Sequence, residues 1–218
     1  MPIRHRCETH WETAEYRRVV DVDEIEKLPP TAWVLIAIAA ALGFGISWLW
    51  RWYRQYSARK SLRMAVTATG SDHAVDVLVP DGMGGGFHVD FLLLTSRGVL
   101  VVDLRDVQGN IFGGDQMADW TVMDGPRRFT FTNPQSGLYD RIAAVKAIAG
   151  EVPVEGRVVF TRRGRFPKGL PKWTLMIDAL RAEFPALEHE AEGALARFRE
   201  GWDKVKGTVK PSYMAHMR

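Results

Sequence analysis

The chain has 218 residues, 46% of them hydrophobic, and carries 29 Lys and Arg against 26 Asp and Glu, a net charge of +3. That length and apolar content can bury one proper core, and the mild charge permits nucleic-acid or anionic-membrane contact without demanding it. The one cysteine, Cys7, excludes an internal disulfide and a thiolate zinc site, leaving an unpaired thiol or a Cys7-linked dimer in an oxidising compartment.

Residues 1–30 read as a polar tail, with Val19-Val20 its only apolar pair. Residues 31–53 read as a transmembrane helix. Thr31 to Trp50 carries no charge, and about 20 such residues cross a hydrocarbon core of roughly 30 Å. Trp33 lies near one end and Trp48, Trp50, Trp52 and Tyr53 crowd the other, as an aromatic belt does. Pro29-Pro30 suits a helix start. A buried soluble helix fits less well because the stretch has no charged face. A cleaved signal peptide fits less well because the run is long and starts far from Met1. Asp21, Asp23, Glu24 and Glu26 precede the span, whereas Arg51, Arg54, Arg59, Lys60 and Arg63 follow it. The positive-inside rule therefore predicts a single-pass protein of the cell membrane with its C-terminal domain in the cytoplasm. The basic flank, read as a stalk over 54–73, can also meet anionic headgroups of the bilayer. Ala41 and Gly45, like Gly43 and Ser47, have the small-residue spacing of self-associating membrane helices, so a homo-oligomer through this helix is one reading and ordinary small-residue content the other.

The folded domain is expected over 74–190. Ala74 to Val79 alternates like a strand, and the glycine-rich loop after it lacks the pattern of a phosphate cradle. Phe87 to Gly109 predicts two strands joined by a tight turn at Ser96-Arg97-Gly98. Ile111 to Gly114 predicts a strand end. Trp120 to Met123 and Phe129 to Phe131 predict a pair around Asp124-Gly125. Asn133-Pro134 introduces a helix from about Ser136 to Ile148. Gly156 to Thr161 predicts a strand, Thr174 to Phe184 an amphipathic helix ended by Pro185, and 191–218 a last helix and tail. The order of strands, helix and strand indicates an α/β layer architecture.

Chemistry concentrates on the Phe87 to Gly109 hairpin. Val99-Leu100-Val101-Val102 is an apolar run that ends in Asp103-Leu104-Arg105, and Asp90 opens the neighbouring strand. Side chains alternate across a strand, so Asp103 and Arg105 share a face. Two carboxylates at a sheet edge, Asp90 and Asp103, can hold a hard cation such as Mg²⁺, and a basic neighbour can orient phosphate. The rival readings are a turn cap at Asp90 and a structural ion pair for Arg105.

These residues resemble the nuclease-related (NERD) domain, a family of the PD-(D/E)xK nuclease superfamily. The resemblance is carried by His88-Val89-Asp90, Gly98, Asp103-Leu104-Arg105, Gly109-Asn110-Ile111, Trp120 and Asn133-Pro134-Gln135, in order, over roughly Ala74 to Pro185. It implies a restriction-endonuclease-like mixed sheet flanked by helices, here preceded by one transmembrane helix. It also implies a Mg²⁺-dependent nuclease whose metal ligands are Asp90 and Asp103, with Arg105 and Gln135 completing the catalytic set. The sequence departs from the pattern at four places. His88 stands for a Glu, Asp103 for a Glu and Arg105 for a Lys, and Ser61 to Thr69 supplies no acid. Arginine stays protonated and cannot accept a proton, though its fork can hold phosphate.

Two functions therefore stand side by side: a metal-dependent nuclease acting on DNA or RNA with weak or undetectable cleavage, and an inert membrane-tethered module that binds nucleic acid or protein. An acid brought near Asp90 from elsewhere in the chain would favour the enzyme. Gln135 has a helix-start hydrogen bond as its plainer role. The run Arg162, Arg163, Arg165, Lys168 and Lys172 reads as a solvated loop or as a phosphate-backbone patch.

Overall fold

The computed structural model describes residues 29–185 and 192–212. Residues 1–28 of the polar tail, with Cys7, lie outside the described residues. The chain divides into two compact units, Met1–Tyr56 and Ser57–Arg218.

The described part of the first unit is helical. Helix α1 spans Pro30–Thr67 and continues into the second unit. It is long and apolar enough to cross a membrane, and none of its apolar window is buried among the described residues. Phe44 is 74% exposed and Ile46 69%, and no residue of the apolar part is in the core among the described residues.

The second unit is mixed α/β. Its strands are β1 (Asp72–Pro80), β2 (Gly86–Thr95), β3 (Gly98–Arg105), β4 (Gly109–Phe112), β5 (Asp119–Asp124) and β6 (Arg127–Thr132). Helix α2 (Pro134–Ala149), strands β7 (Val154–Phe160), β8 (Gly164–Arg165) and β9 (Thr174–Met176), helices α3 (Ile177–Glu183) and α4 (Glu192–Thr208), and strand β10 (Lys210–Pro211) follow. The larger sheet has the order β10-β1-β2-β3-β7-β9 and the smaller β6-β5-β4-β8. Strands β1, β2 and β3 form an antiparallel meander, while β7 lies parallel to β3 and β9 parallel to β7. A parallel return needs a crossover, which α2 provides.

The unbroken apolar run of β3 is explained by burial on both faces. Leu92, Leu94, Val99 and Val101 share one core with Leu138 and Val145 of α2 and Trp202 and Val205 of α4. Phe91, Leu93, Leu100 and Val102 share the other with Leu180 of α3, Phe184 and Val66 near the end of α1. The expected hairpin is present, with Thr95 opposite Gly98. Gly98 has φ 122° and a Cβ there would strike the Pro153 carbonyl, so no other residue fits that corner without strain.

One predicted element changes type. Thr174-Leu175-Met176 is strand, paired with Val158, Val159 and Phe160, and the helix starts only at Ile177. The amphipathic period of the sequence is that of a helix, but the open edge of β7 offers hydrogen bonds that the first three residues take.

The last helix is fastened through Asp72. Its carboxylate accepts from the Trp202 indole at 2.8 Å and from the Lys206 ammonium at 3.1 Å. Burial pushes this carboxyl up, but these bonds and that from the His73 N–H outweigh it and hold Asp72 below its ordinary value. A depressed folded-state value means a contribution present above the unfolded carboxyl pKa and lost as pH falls through the folded one. Asp72→Ala is therefore expected to cost about 1–3 kcal/mol, because the buried indole N–H loses its acceptor. Urea unfolding at neutral pH and near pH 3 should show the deficit shrinking in acid.

Candidate metal centre

The site begins with a fault in strand alternation. Ala74 packs on the α2 side of the sheet and Val75 on the opposite side, yet Val77 and Val79 return to the α2 side. Between them Asp76 has φ 52°, a left-handed conformation for a non-glycine residue. Strain of this kind costs about 1–3 kcal/mol and persists only where neighbours impose it. Here the Ser212 N–H donates to the Asp76 carbonyl at 2.8 Å, and the Arg63 guanidinium donates to its carboxylate at 2.7 Å. Asp90 occupies the matching place on β2, between the residues paired as Val75↔Phe91 and Val77↔Val89. The sheet thus turns at two facing aspartates.

Asp90 is buried, at 8% exposure, and both of its oxygens are engaged. The backbone N–H of Leu104 donates to Oδ2 at 2.8 Å, so this side chain takes over where the β2–β3 ladder stops at Phe91↔Val102. His88 Nε2 lies 3.0 Å from Oδ1. The other ring nitrogen, Nδ1, is 2.8 Å from the Ser212 hydroxyl, which orients the ring. Asp76, His88 and Asp90 each offer one ligand atom, all within 4.8 Å of one another. Two carboxylates and an imidazole in that space fit a divalent cation. An imidazole among oxygens suits Mn²⁺ or Zn²⁺ better than Mg²⁺, which prefers oxygen alone.

Asp103, expected as the second metal ligand, lies outside this group and is differently engaged. It is 3% exposed, and its Oδ2 accepts from Arg105 at 2.8 Å and from Arg141 at 3.1 Å. Two guanidiniums offset the cost of burying the carboxylate. Arg141, on α2, also donates through Nε to the His88 carbonyl at 2.6 Å, so it ties the β2 kink to the end of β3. Arg105 retains a buried Nε with no hydrogen-bond partner among the described residues. That donor sits on the strand face where the sequence placed a phosphate-orienting group.

Gln135 is drawn into a loop staple. Its amide nitrogen donates to Asp115 at 2.9 Å and to the Lys172 carbonyl at 2.5 Å, and its oxygen accepts from Asn133. The hydrogen bond from Gln135, with that from the Lys172 N–H, holds the Asp115 carboxyl below its ordinary value. The basic run is divided. Arg162 pairs with Asp178 and Arg163 with Asp106, whereas Arg165 and Lys168 have no carboxylate partner among the described residues.

Sequence reasoning did not single out Asp76, Arg141 or Ser212. Asp76 hides in an alternating strand. Ser212 meets His88 only through the pairing of β10 with β1. Arg141 left a signal: it sits between Leu138 and Val145 on the buried stripe of α2, and a cation there requires a buried acid.

Residues 58–161 match the family model described as NERD, nuclease-related domain. No curated protein and no solved structure matches the chain.

Proposed function

The chain carries a nuclease-related domain over residues 58–161, and from that premise we propose that it is a membrane-anchored, divalent-metal-dependent phosphodiesterase of low activity. The observation that carries this reading is the convergence of Asp76, His88 and Asp90 beside Asp103 and its two arginines. Asp76 is the acid from elsewhere in the chain that the enzyme reading called for. A cation held by these three would supply Lewis acidity and a more acidic bound water. Arg105, whose side chain is 30% exposed beside Asp103, is suited to hold a phosphate oxygen. Neither arginine can accept a proton, and the Lys of the family triplet is absent, so the rate is low. The apolar α1 is the proposed anchor, with the folded unit on the cytoplasmic side. Protease added to intact cells is then expected to spare everything beyond Arg51, and digestion there would reverse the orientation.

The second reading is an inert nucleic-acid- or protein-binding module. It is favoured by one observation: the Asp103 carboxylate already balances two guanidiniums. The deciding experiment uses the full chain in detergent micelles, titrated with Mn²⁺ and Mg²⁺ and assayed for cleavage of labelled DNA and RNA. Arg105→Lys is expected to raise cleavage several-fold. Asp76→Asn, which tolerates the left-handed backbone, is expected to remove it. No cleavage by either the parent or Arg105→Lys, with metal bound, establishes the inert module. Cleavage unaffected by Asp76→Asn places the chemistry elsewhere.

A further inference from the structure

The smaller sheet begins where the candidate site ends. Strand β4 starts four residues after Arg105 and β8 four residues after Phe160, and the two run parallel as β3 and β7 do. One face of this sheet is core: Ile111, Trp120 and Val122 are at most 1% exposed. The other face is open, and its side chains follow from the register. Arg165 stands opposite Asn110, Asn110 opposite Met123, and Met123 opposite Arg128. Directly opposed residues share a face, so these four form one row across the sheet. A second row holds Phe112, Thr121 and Thr130, and the Lys168 ammonium lies 5.9 Å over the Phe112 ring.

Arg128, Arg165 and Lys168 are the cations of this face, and none has a carboxylate partner among the described residues. Arg97, Arg157, Arg162 and Arg163 of the same unit are ion-paired, whereas Lys146, Arg181 and Lys210, like these three, have no carboxylate partner among the described residues. Asp119, the first residue of β5 and opposite Thr132, is the one carboxylate that the register puts on this face among the described residues. Between the cations lie Asn110 and the hydroxyls of Thr121 and Thr130, which are short donors, and exposed Met123, which offers an apolar contact. Unpaired cations spaced along polar strands match a phosphodiester backbone, and hydroxyls and amides are common partners of phosphate oxygens.

We infer that this open face of the β6-β5-β4-β8 sheet is a nucleic-acid docking surface that leads a strand to the Asp103–Arg105 end of β3. The inference rests on the phosphodiesterase reading for its choice of ligand, since it is the continuity with that site that favours nucleic acid over an anionic lipid surface.

The test uses the full chain in detergent micelles and fluorescently labelled single-stranded DNA and RNA, with affinity measured over a range of salt. Arg128→Glu with Arg165→Glu is expected to weaken binding at low salt by at least about tenfold and to flatten the salt slope by roughly 1.4, at about 0.7 per single-strand contact. Mn²⁺ binding at Asp76, His88 and Asp90 should be unchanged, as should the circular dichroism. Arg162→Glu, which alters an already paired cation, should have a much smaller effect. If the double variant misfolds, Arg128→Gln with Lys168→Gln replaces it, and a loss of about threefold or more is expected. Equal binding by parent and variant overturns the docking surface and leaves the metal reading standing. Loss of binding to anionic vesicles, with oligonucleotide binding intact, reassigns the face to lipid. No oligonucleotide binding by the parent overturns the surface, and absence of Mn²⁺ binding as well overturns the reading beneath it.

Discussion

Asp90→Ala is expected to abolish divalent-cation binding and to loosen the end of β3 in the same protein. The two effects come from different oxygens. Oδ1 faces His88 Nε2 within the metal-ligand group, and Oδ2 accepts the Leu104 N–H at 2.8 Å. Alanine removes both. The cation loss should exceed the roughly 10–100-fold typical of removing a partner that only orients a ligand. The stability loss should be about 1–3 kcal/mol, the cost of a backbone donor left without its acceptor. Asp90→Asn separates them. Its amide oxygen can still accept from Leu104, so stability is largely kept, while the lost charge weakens the cation site. His88→Ala should weaken Mn²⁺ more than Mg²⁺, because an imidazole suits the former. Calorimetric titration and urea unfolding of the three variants read the two effects apart. Unchanged Mn²⁺ affinity in both Asp90 variants would remove the site.

Arg141→Met is expected to destabilise the folded unit by about 3–5 kcal/mol, the range for breaking a buried ion pair from one side. Asp103 is 3% exposed and would be left with Arg105, a side chain 30% exposed, as its one cation. The His88 carbonyl would also lose a donor at 2.6 Å. Combining Arg141→Met with Asp103→Asn should recover part of the loss, because the uncompensated buried charge goes with the carboxylate. A double-mutant cycle in urea gives the coupling. Strict additivity would mean that Arg141 and Asp103 do not depend on each other. The same cycle bears on function: if cation binding also falls in Arg141→Met, the arginine positions the His88 strand as well as neutralising Asp103.

How much of this was legible in the sequence varies with the range of the interaction. The hairpin from β2 to β3 was readable because its signals are local: alternation, a continuous apolar run, and a glycine at a corner that excludes a Cβ. The same holds for β5 and β6 around Asp124-Gly125, for α2 after Asn133-Pro134, and for the apolar stretch of α1. Asp90, Asp103 and Arg105 were found because they interrupt a buried apolar pattern, where a charge is costly enough to require a reason. Thr174 to Met176 failed as helix because a neighbouring strand edge, distant in sequence, decides its hydrogen bonding.

The sequence by itself determined the elements, the apolar helix, the nuclease-related pattern and the acids and base around which the candidate site is built. The tertiary structure decided which groups meet. Asp76 reaches His88 and Asp90 only because a left-handed residue turns β1. Ser212 reaches both Asp76 and His88 from the C-terminal strand, 124 residues from His88. Asp103 is matched with Arg141 across 38 residues as well as with Arg105 two residues away. Local patterns record whether a residue is buried, because burial is repeated at every turn or every second residue. They do not record which partner it is buried against, since that depends on strand pairing and crossover, where the spacing along the chain carries no periodic signal.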